Sequence, residues 1–292
     1  MAKQIFAALI ILSLTACNLP GSLAPTQPSP IDTSAATIAP ATEAPTVAPE
    51  QPTATVAEAG RNLEAAVILQ PGPNSSITSP VTVAGQSRPT FEQNLVIAVY
   101  GEDGSLLSQQ PTTLDSPAGN PGNFSIDIAF NVDHEQPGRV SVYETSAMDG
   151  GIIHLSSVEV ILKPSGTAEI QPAAIGFESI DILLPASMAE ISGGVIQVSG
   201  FSDYYFESNL GLIVCGGGGS GAPNDLCGTD DNILASGNAL IDSPDMGQPG
   251  PFSGELTYSV SQPTPARIVV FAASPRDGGW LHVNSIPILL NP

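Results

Sequence analysis

"RVSVYETSAMDGGIIHLSSVEVIL" at residues 139–162 and "RIVVFAASPRDGGWLHVNSIPILL" at 267–290 align without a gap, each residue of the second standing 128 places after its counterpart. Twenty-four residues in one register are too many for chance, so the chain holds two copies of one domain. Moving toward the N-terminus, "GNPGNFS" at 119–125 returns as "GQPGPFS" at 247–253 with the same offset. Further still the offset falls to 115, where Gly85, Phe91, Glu92 and Asn94 return as Gly200, Phe206, Glu207 and Asn209. The difference of 13 equals the length of "CGGGGSGAPNDLC" at 215–227, so copy two carries an insertion that begins and ends in cysteine. It falls where copy one has the tight turn "GEDGS" between its third and fourth strands.

Each copy reads as short alternating segments broken by Gly, Pro, Asn and Asp. "PVTVAGQS", "NLVIAVYG", "NFSIDIAF", "GRVSVYETS" and "LSSVEVIL" are strand candidates. In "NFSIDIAF", Phe124, Ile126, Ile128 and Phe130 share one face. Helical periodicity is absent after the leader. About seven strands per roughly 100 residues predict an all-β chain of two tandem immunoglobulin-like antiparallel sandwiches. Copy one spans 65–163 and copy two 178–291, joined by a short flexible connection at 164–177.

Before the copies come two other kinds of text. "MAKQIFAALIILSLTAC" has a basic residue, an apolar run too short to cross a bilayer, and small residues before a cysteine. "LTAC" resembles the bacterial lipobox, which predicts that Cys17 becomes the lipidated N-terminus and anchors the chain outside the cytosol. Residues 18–62 are rich in Pro, Thr and Ala with no apolar period, as expected of a disordered tether. At about 3.1 Å per residue such a stretch reaches on the order of 100 Å.

The whole chain has 292 residues with 28 acids against 7 Lys+Arg, a formal charge of −21. That balance opposes docking onto phosphate backbones and excludes nucleic acid as a partner. The expected partners are the membrane, through the anchor, and an envelope protein or polysaccharide. With Cys17 assigned, Cys215 and Cys227 form an even pair in an exported protein and read as a disulfide worth roughly 3 kcal/mol.

Candidate sites are sparse. Asp149, Gly150, Gly151 and His154 return as Asp277, Gly278, Gly279 and His282, but one Asp and one His per copy are too few for a metal, and "DGG" suits the turn into the last strand. Glu92, Asn94, Glu207, Asn209 and "GTDDN" at 228–232 lack the dense pattern of a calcium loop. No nucleophile elbow and no phosphate-cradling motif appears. The expectation is therefore no enzyme, no cofactor and no metal. Tyr204, Tyr205 and Trp280 stand where the copies differ, which makes them candidate contact residues for a sugar or a protein, although such side chains serve equally well in a core.

The combination of "FE-x-N", "PG-x-F" and a "DGG" before the last strand resembles the immunoglobulin-like domain of bacterial spore germination, across both copies. The resemblance implies a non-catalytic extracytoplasmic module, one that often accompanies a GerMN domain in envelope lipoproteins. This chain has no GerMN-like segment, so the fold is carried over and a germination role is not. The resulting reading is a lipid-anchored binding or spacer module with copy two outermost. The competing reading is a subunit that binds a carbohydrate or another small solute.

Overall fold

The computed structural model describes residues 60–217, 226–228 and 232–292. The leader, the lipobox and the tether up to residue 59 lie outside these. Among the described residues there is no α-helix, and every regular element apart from short 3-10 turns is a strand.

Copy one contains β1 (Ala66–Gln70), β2 (Ser76–Thr78), β3 (Val81–Ser87), β4 (Asn94–Tyr100), β5 (Leu106–Thr113), β6 (Gly122–Ile128), β7 (Gln136–Thr145) and β8 (Ile152–Lys163). One sheet runs β1-β3-β6 and the other β5-β4-β7-β8, with β2 alongside β8 in parallel. Val83, Ile97, Val99, Phe124, Ile128, Val140, Val142 and Leu162 close the core between them. Copy two repeats the plan with β9 (Ile180–Leu184), β10 (Glu190–Ile191), β11 (Val195–Ser202), β12 (Asn209–Gly216), β13 (Ile233–Ile241), β14 (Gly250–Thr257), β15 (Thr264–Ala273) and β16 (Trp280–Leu290). Its core is Val198, Leu212, Val214, Phe252, Leu256, Ile268, Val270 and Leu290. The fold class read from the sequence is the observed one: two immunoglobulin-like sandwiches.

The copies differ at one edge. In copy two, β13 hydrogen-bonds to β14 through Ala239↔Gly254, which makes its two sheets continuous. In copy one the position 128 residues before Ala239 is Pro111, which has no N–H to offer a second ladder, and β5 and β6 stay in separate sheets.

Gly85 and Gly200, which lie within β3 and β11, have a steric reason for being glycine. A Cβ on Gly85 would overlap the Val67 carbonyl oxygen and the Phe124 ring, and one on Gly200 would overlap the Asp181 carbonyl oxygen and the Phe252 ring. The repeated "FE-x-N" that follows is a 3-10 turn in which Glu92 and Glu207 take left-handed φ of 53° and 57°. The chain there turns a corner, with Phe91 and Phe206 exposed.

Three sequence expectations need correction. The connection at 164–177 is not free: Glu169 and Ser76 exchange backbone hydrogen bonds, Gly72 N–H donates to the Gln171 carbonyl, and Ala173 N–H donates to the Leu69 carbonyl. The disordered tether does not extend to residue 62, because Asn62 donates to both Asp181 carboxylate oxygens at 2.8 Å. Arg61 meanwhile lies over the rings of Phe177 and Phe201. Finally, the two copies are not independent domains on a flexible link. β8 and β16, the last strands of the two copies, pair antiparallel through Leu155↔Val283 and Ser156↔His282.

That pairing defines a pseudo-twofold axis, since Leu155 and Val283 are themselves counterparts 128 residues apart. Everything around it is reciprocal. Ser157 Oγ donates to the Leu281 carbonyl at 2.7 Å, and its counterpart Ser285 Oγ donates to the Ile153 carbonyl at 2.6 Å. Arg139 of copy one meets Asp277 of copy two at 3.2 Å, while Arg267 of copy two meets Asp149 of copy one at 3.5 Å. Between these pairs lies a third apolar cluster, containing Ala98, Tyr143, Ile152 and Leu155 from one copy and Cys215, Val269 and Val283 from the other. The strands β7 and β15 are therefore covered on both faces, one by their own sandwich and one by the sister copy.

Candidate functional site

The axis also brings together the chain's most concentrated chemistry. His154 sits on β8 and His282 on β16, one residue to either side of the Leu155↔Val283 pair. Just ahead of β1 and β9, the chain segments around Leu63 and Phe177 form an antiparallel bridge, with Glu64 N–H donating to the Gly176 carbonyl and Glu178 N–H to the Asn62 carbonyl. This second reciprocal contact points Glu64 and Glu178 at the two imidazoles.

The four side chains are nearly sealed, with exposures of 1% and 3% for the histidines and 7% and 4% for the glutamates. His154 Nε2 lies 2.9 Å from Glu178 and 3.1 Å from Glu64. His282 Nε2 lies 3.1 Å from Glu178 and 3.2 Å from Glu64. The rings meet edge to face with centres 5.3 Å apart. One donor atom from each residue falls within 4.8 Å of all the others, the one grouping of this kind among the described residues. Neither Nδ1 has a hydrogen-bond partner. A cleft of about 690 Å³ reaches Glu64 and Glu178 from outside, lined also by Arg88, Asp181, Arg267 and Asn284.

The expectation that no metal site exists counted ligands copy by copy. The structure pools them, one His and one Glu from each copy, which makes four. The glutamates were missed because they fall just before the strands and because the pairs do not share an offset: Glu64 and Glu178 stand 114 residues apart, the histidines 128. A signal was available in "LEAAVILQP" and "FESIDILLP", where the acid precedes a proline by seven residues in both copies.

Burial favours the uncharged form of all four groups, but the mutual pairing outweighs it. His154 is raised above its usual value and His282 is pushed up to about 10, each opposed by burial and driven by the two carboxylates. Glu64 and Glu178 are held below the usual carboxylate range, again against burial, by the two imidazoles. Without a divalent ion the tetrad is thus two imidazolium–carboxylate pairs. A raised histidine stabilises fully below its unfolded value of 6.5 and loses that contribution as pH climbs toward 10. A lowered glutamate contributes fully above 4.5 and loses it as pH falls. Thermal melts in chelator should therefore peak between about pH 4.5 and 6.5 and lose on the order of 2 kcal/mol by pH 10. A melting temperature that stays level from pH 6.5 to 10 would contradict this.

The other candidates land elsewhere. Asp149 and Asp277 are interface anchors: each takes the N–H of the second glycine of its "DGG" and holds an arginine of the sister copy. Gly150 and Gly278 do supply the positive φ expected of the turn, at 75° and 71°. Cys215 and Cys227 are joined as expected, and both are buried against the inter-copy cluster. Trp280 is half-buried in that cluster, edge to face with Phe271 at 4.7 Å, so its ring already has a partner within the chain. Tyr205 packs against the core of copy two near Glu64, and Tyr204 is half-buried. The most exposed aromatics among the described residues are Phe91 and Phe206, each 59% exposed, followed by Phe177 at 40%. Glu92 and Glu207 are not drawn into any cluster among the described residues, and residues 229–231 of the acidic "GTDDN" lie outside them.

Topology and site together define a tandem immunoglobulin-like protein whose two copies dock about a twofold axis. Residues 65–151 match the family model for Gmad2, the immunoglobulin-like domain of bacterial spore germination. Copy two has the same fold without being matched by that model. No curated protein matches the chain. Similar solved structures include the two tandem V-type regions of VCBP3, a v-region-containing chitin binding protein, at 10% identity over 77% of this chain and 100% of that one, with a TM-score of 0.28. Dimeric latent PorU from Porphyromonas gingivalis is similar at 10% identity over 79% of this chain, which spans 24% of that one, with a TM-score of 0.23. Titin domains z1z2 in complex with telethonin are similar at 10% identity over 78% and 96% of the two chains, with a TM-score of 0.19.

Proposed function

We propose that this chain is a lipid-anchored, extracytoplasmic protein of the bacterial envelope in which the two immunoglobulin-like copies act as one non-catalytic binding or spacer block. The observation that carries this reading is the reciprocal docking. It buries Arg139, Asp149, Arg267 and Asp277, together with His154, His282, Glu64 and Glu178, between the copies, where they hold the copies together. The leader ending in "LTAC" supports the anchor, and the Pro- and Thr-rich stretch after it supports a spacer between membrane and block.

Cell fractionation with mass spectrometry of the processed N-terminus tests the anchor. The expected result is acylated Cys17 in the membrane fraction and release of the chain by Cys17→Ser. An unmodified N-terminus in the soluble fraction would remove the anchor from the proposal. The cleft of about 690 Å³ favours the second reading, a small-solute binder. A saturable rise in melting temperature with one sugar class would move the balance to it.

A further inference from the structure

We infer that Glu64, His154, Glu178 and His282 form a structural zinc site that locks the two copies together about their pseudo-twofold axis.

The donor set is the first argument. Two imidazole nitrogens and two carboxylate oxygens make a borderline-hard set suited to Zn²⁺ rather than to Ca²⁺ or Mg²⁺, which prefer oxygen alone. Geometry is the second. Four donors at about 2.0–2.1 Å from a tetrahedral ion stand about 3.3 Å from one another. The four His–Glu separations run from 2.9 to 3.2 Å, close to that value, and all four donors lie within 4.8 Å of one another. Two imidazoles on such an ion place their ring centres about 5 Å apart, and here the centres are 5.3 Å apart.

Charge is the third argument. Two carboxylates sealed from water need two compensating positive charges. A divalent cation supplies both while leaving each imidazole neutral. Two imidazolium rings would also supply them, but would place two full positive charges on rings whose centres are 5.3 Å apart.

With four protein ligands no coordination position remains for water or substrate, so the site is structural. The cleft beside Glu64 and Glu178 gives the ion its way in. Each copy owns half of the ligand set, so the ion binds tightly only when the copies are docked, and by linkage it favours the docked arrangement. This inference concerns only the folded block and stands whether or not Cys17 is acylated.

The test is zinc titration of the full chain after chelation, with Co²⁺ as a spectroscopic stand-in. We expect one Zn²⁺ per chain, the intense visible bands of tetrahedral Co²⁺, and a melting temperature that zinc raises and chelator lowers again. Glu178→Gln and His282→Gln keep the side-chain size and should each weaken binding at least tenfold, while exposed His134→Gln should leave it unchanged. If a variant fails to fold, the wild-type stoichiometry and Co²⁺ spectrum still decide. Wild-type chain that takes up no stoichiometric zinc, or that gives only an octahedral Co²⁺ spectrum, overturns the inference, as does unaltered affinity in a folded Glu178→Gln.

Discussion

Asp277→Ala should destabilise the protein by about 3–5 kcal/mol, because it strands the guanidinium of Arg139 in the interface between the copies. The Arg139 side chain is 1% exposed and its ion-pair partner Asp277 is 0% exposed. Its Nε already lacks a hydrogen-bond partner, so Asp277 and the face of Tyr100, 5.2 Å from the guanidinium carbon, are what compensate the charge. The reciprocal change Asp149→Ala should cost clearly less. Arg267 there keeps the Ile152 carbonyl at 2.9 Å and the Leu226 carbonyl at 2.8 Å, besides its longer 3.5 Å contact with Asp149. Denaturant unfolding of both variants measures the difference. Equal losses, or a larger loss for Asp149→Ala, would mean the second arginine is not held by those carbonyls. The double variant Arg139→Met with Asp277→Ala should recover much of the lost stability, since it removes the buried charge along with its partner.

Gly200→Ala should cost at least about 3 kcal/mol, at the upper end of overpacking penalties. The added methyl would overlap the Asp181 carbonyl oxygen, which belongs to the backbone of β9 and cannot rotate away. Relief requires β9 to lift from β11, breaking a ladder that runs from Ser199↔Leu184 to Ser202↔Ile180. Gly85→Ala should behave alike, because its obstruction is the Val67 carbonyl on β1. In contrast Gly247→Ala meets nothing within 4 Å and pays only for its φ of 80°. Comparison of the three by thermal melting separates a steric from a conformational cost, and a Gly200→Ala variant no weaker than Gly247→Ala would refute the close approach.

The repeat made the fold legible from the sequence alone. An ungapped match over 24 residues and the alternation in segments such as "NFSIDIAF" carry local information, and local information suffices for strands, sandwiches and the position of the Cys215–Cys227 loop. The docking was not legible for a specific reason. Arg139, Asp149, Arg267 and Asp277 all stand in the quoted repeat, but a repeated Arg and Asp read the same whether each pairs inside its own copy or with the other. Symmetry hides the difference, because both arrangements give identical sequence patterns. The second glycine of "DGG" illustrates this. It suits a turn, yet a Cβ on Gly279 would overlap the Arg139 guanidinium and one on Gly151 would crowd that of Arg267, so the position is small to admit the sister copy's arginine. Trp280 shows the opposite case: an aromatic that differs between copies can serve a contact or a core, and the difference from Ile152 lies beside the inter-copy cluster.

A surface that fits its own counterpart has a consequence beyond one molecule. The patch on copy one that receives copy two would, with modest changes, receive copy one of another chain, and the same holds in reverse. What keeps the pairing within one molecule is the short connection at 164–177, which is fastened to copy one and holds the correct mate at a far higher local concentration than any neighbour in solution. Lengthening that segment or severing it would turn an internal handshake into an intermolecular one, and chains at high concentration would begin to exchange halves.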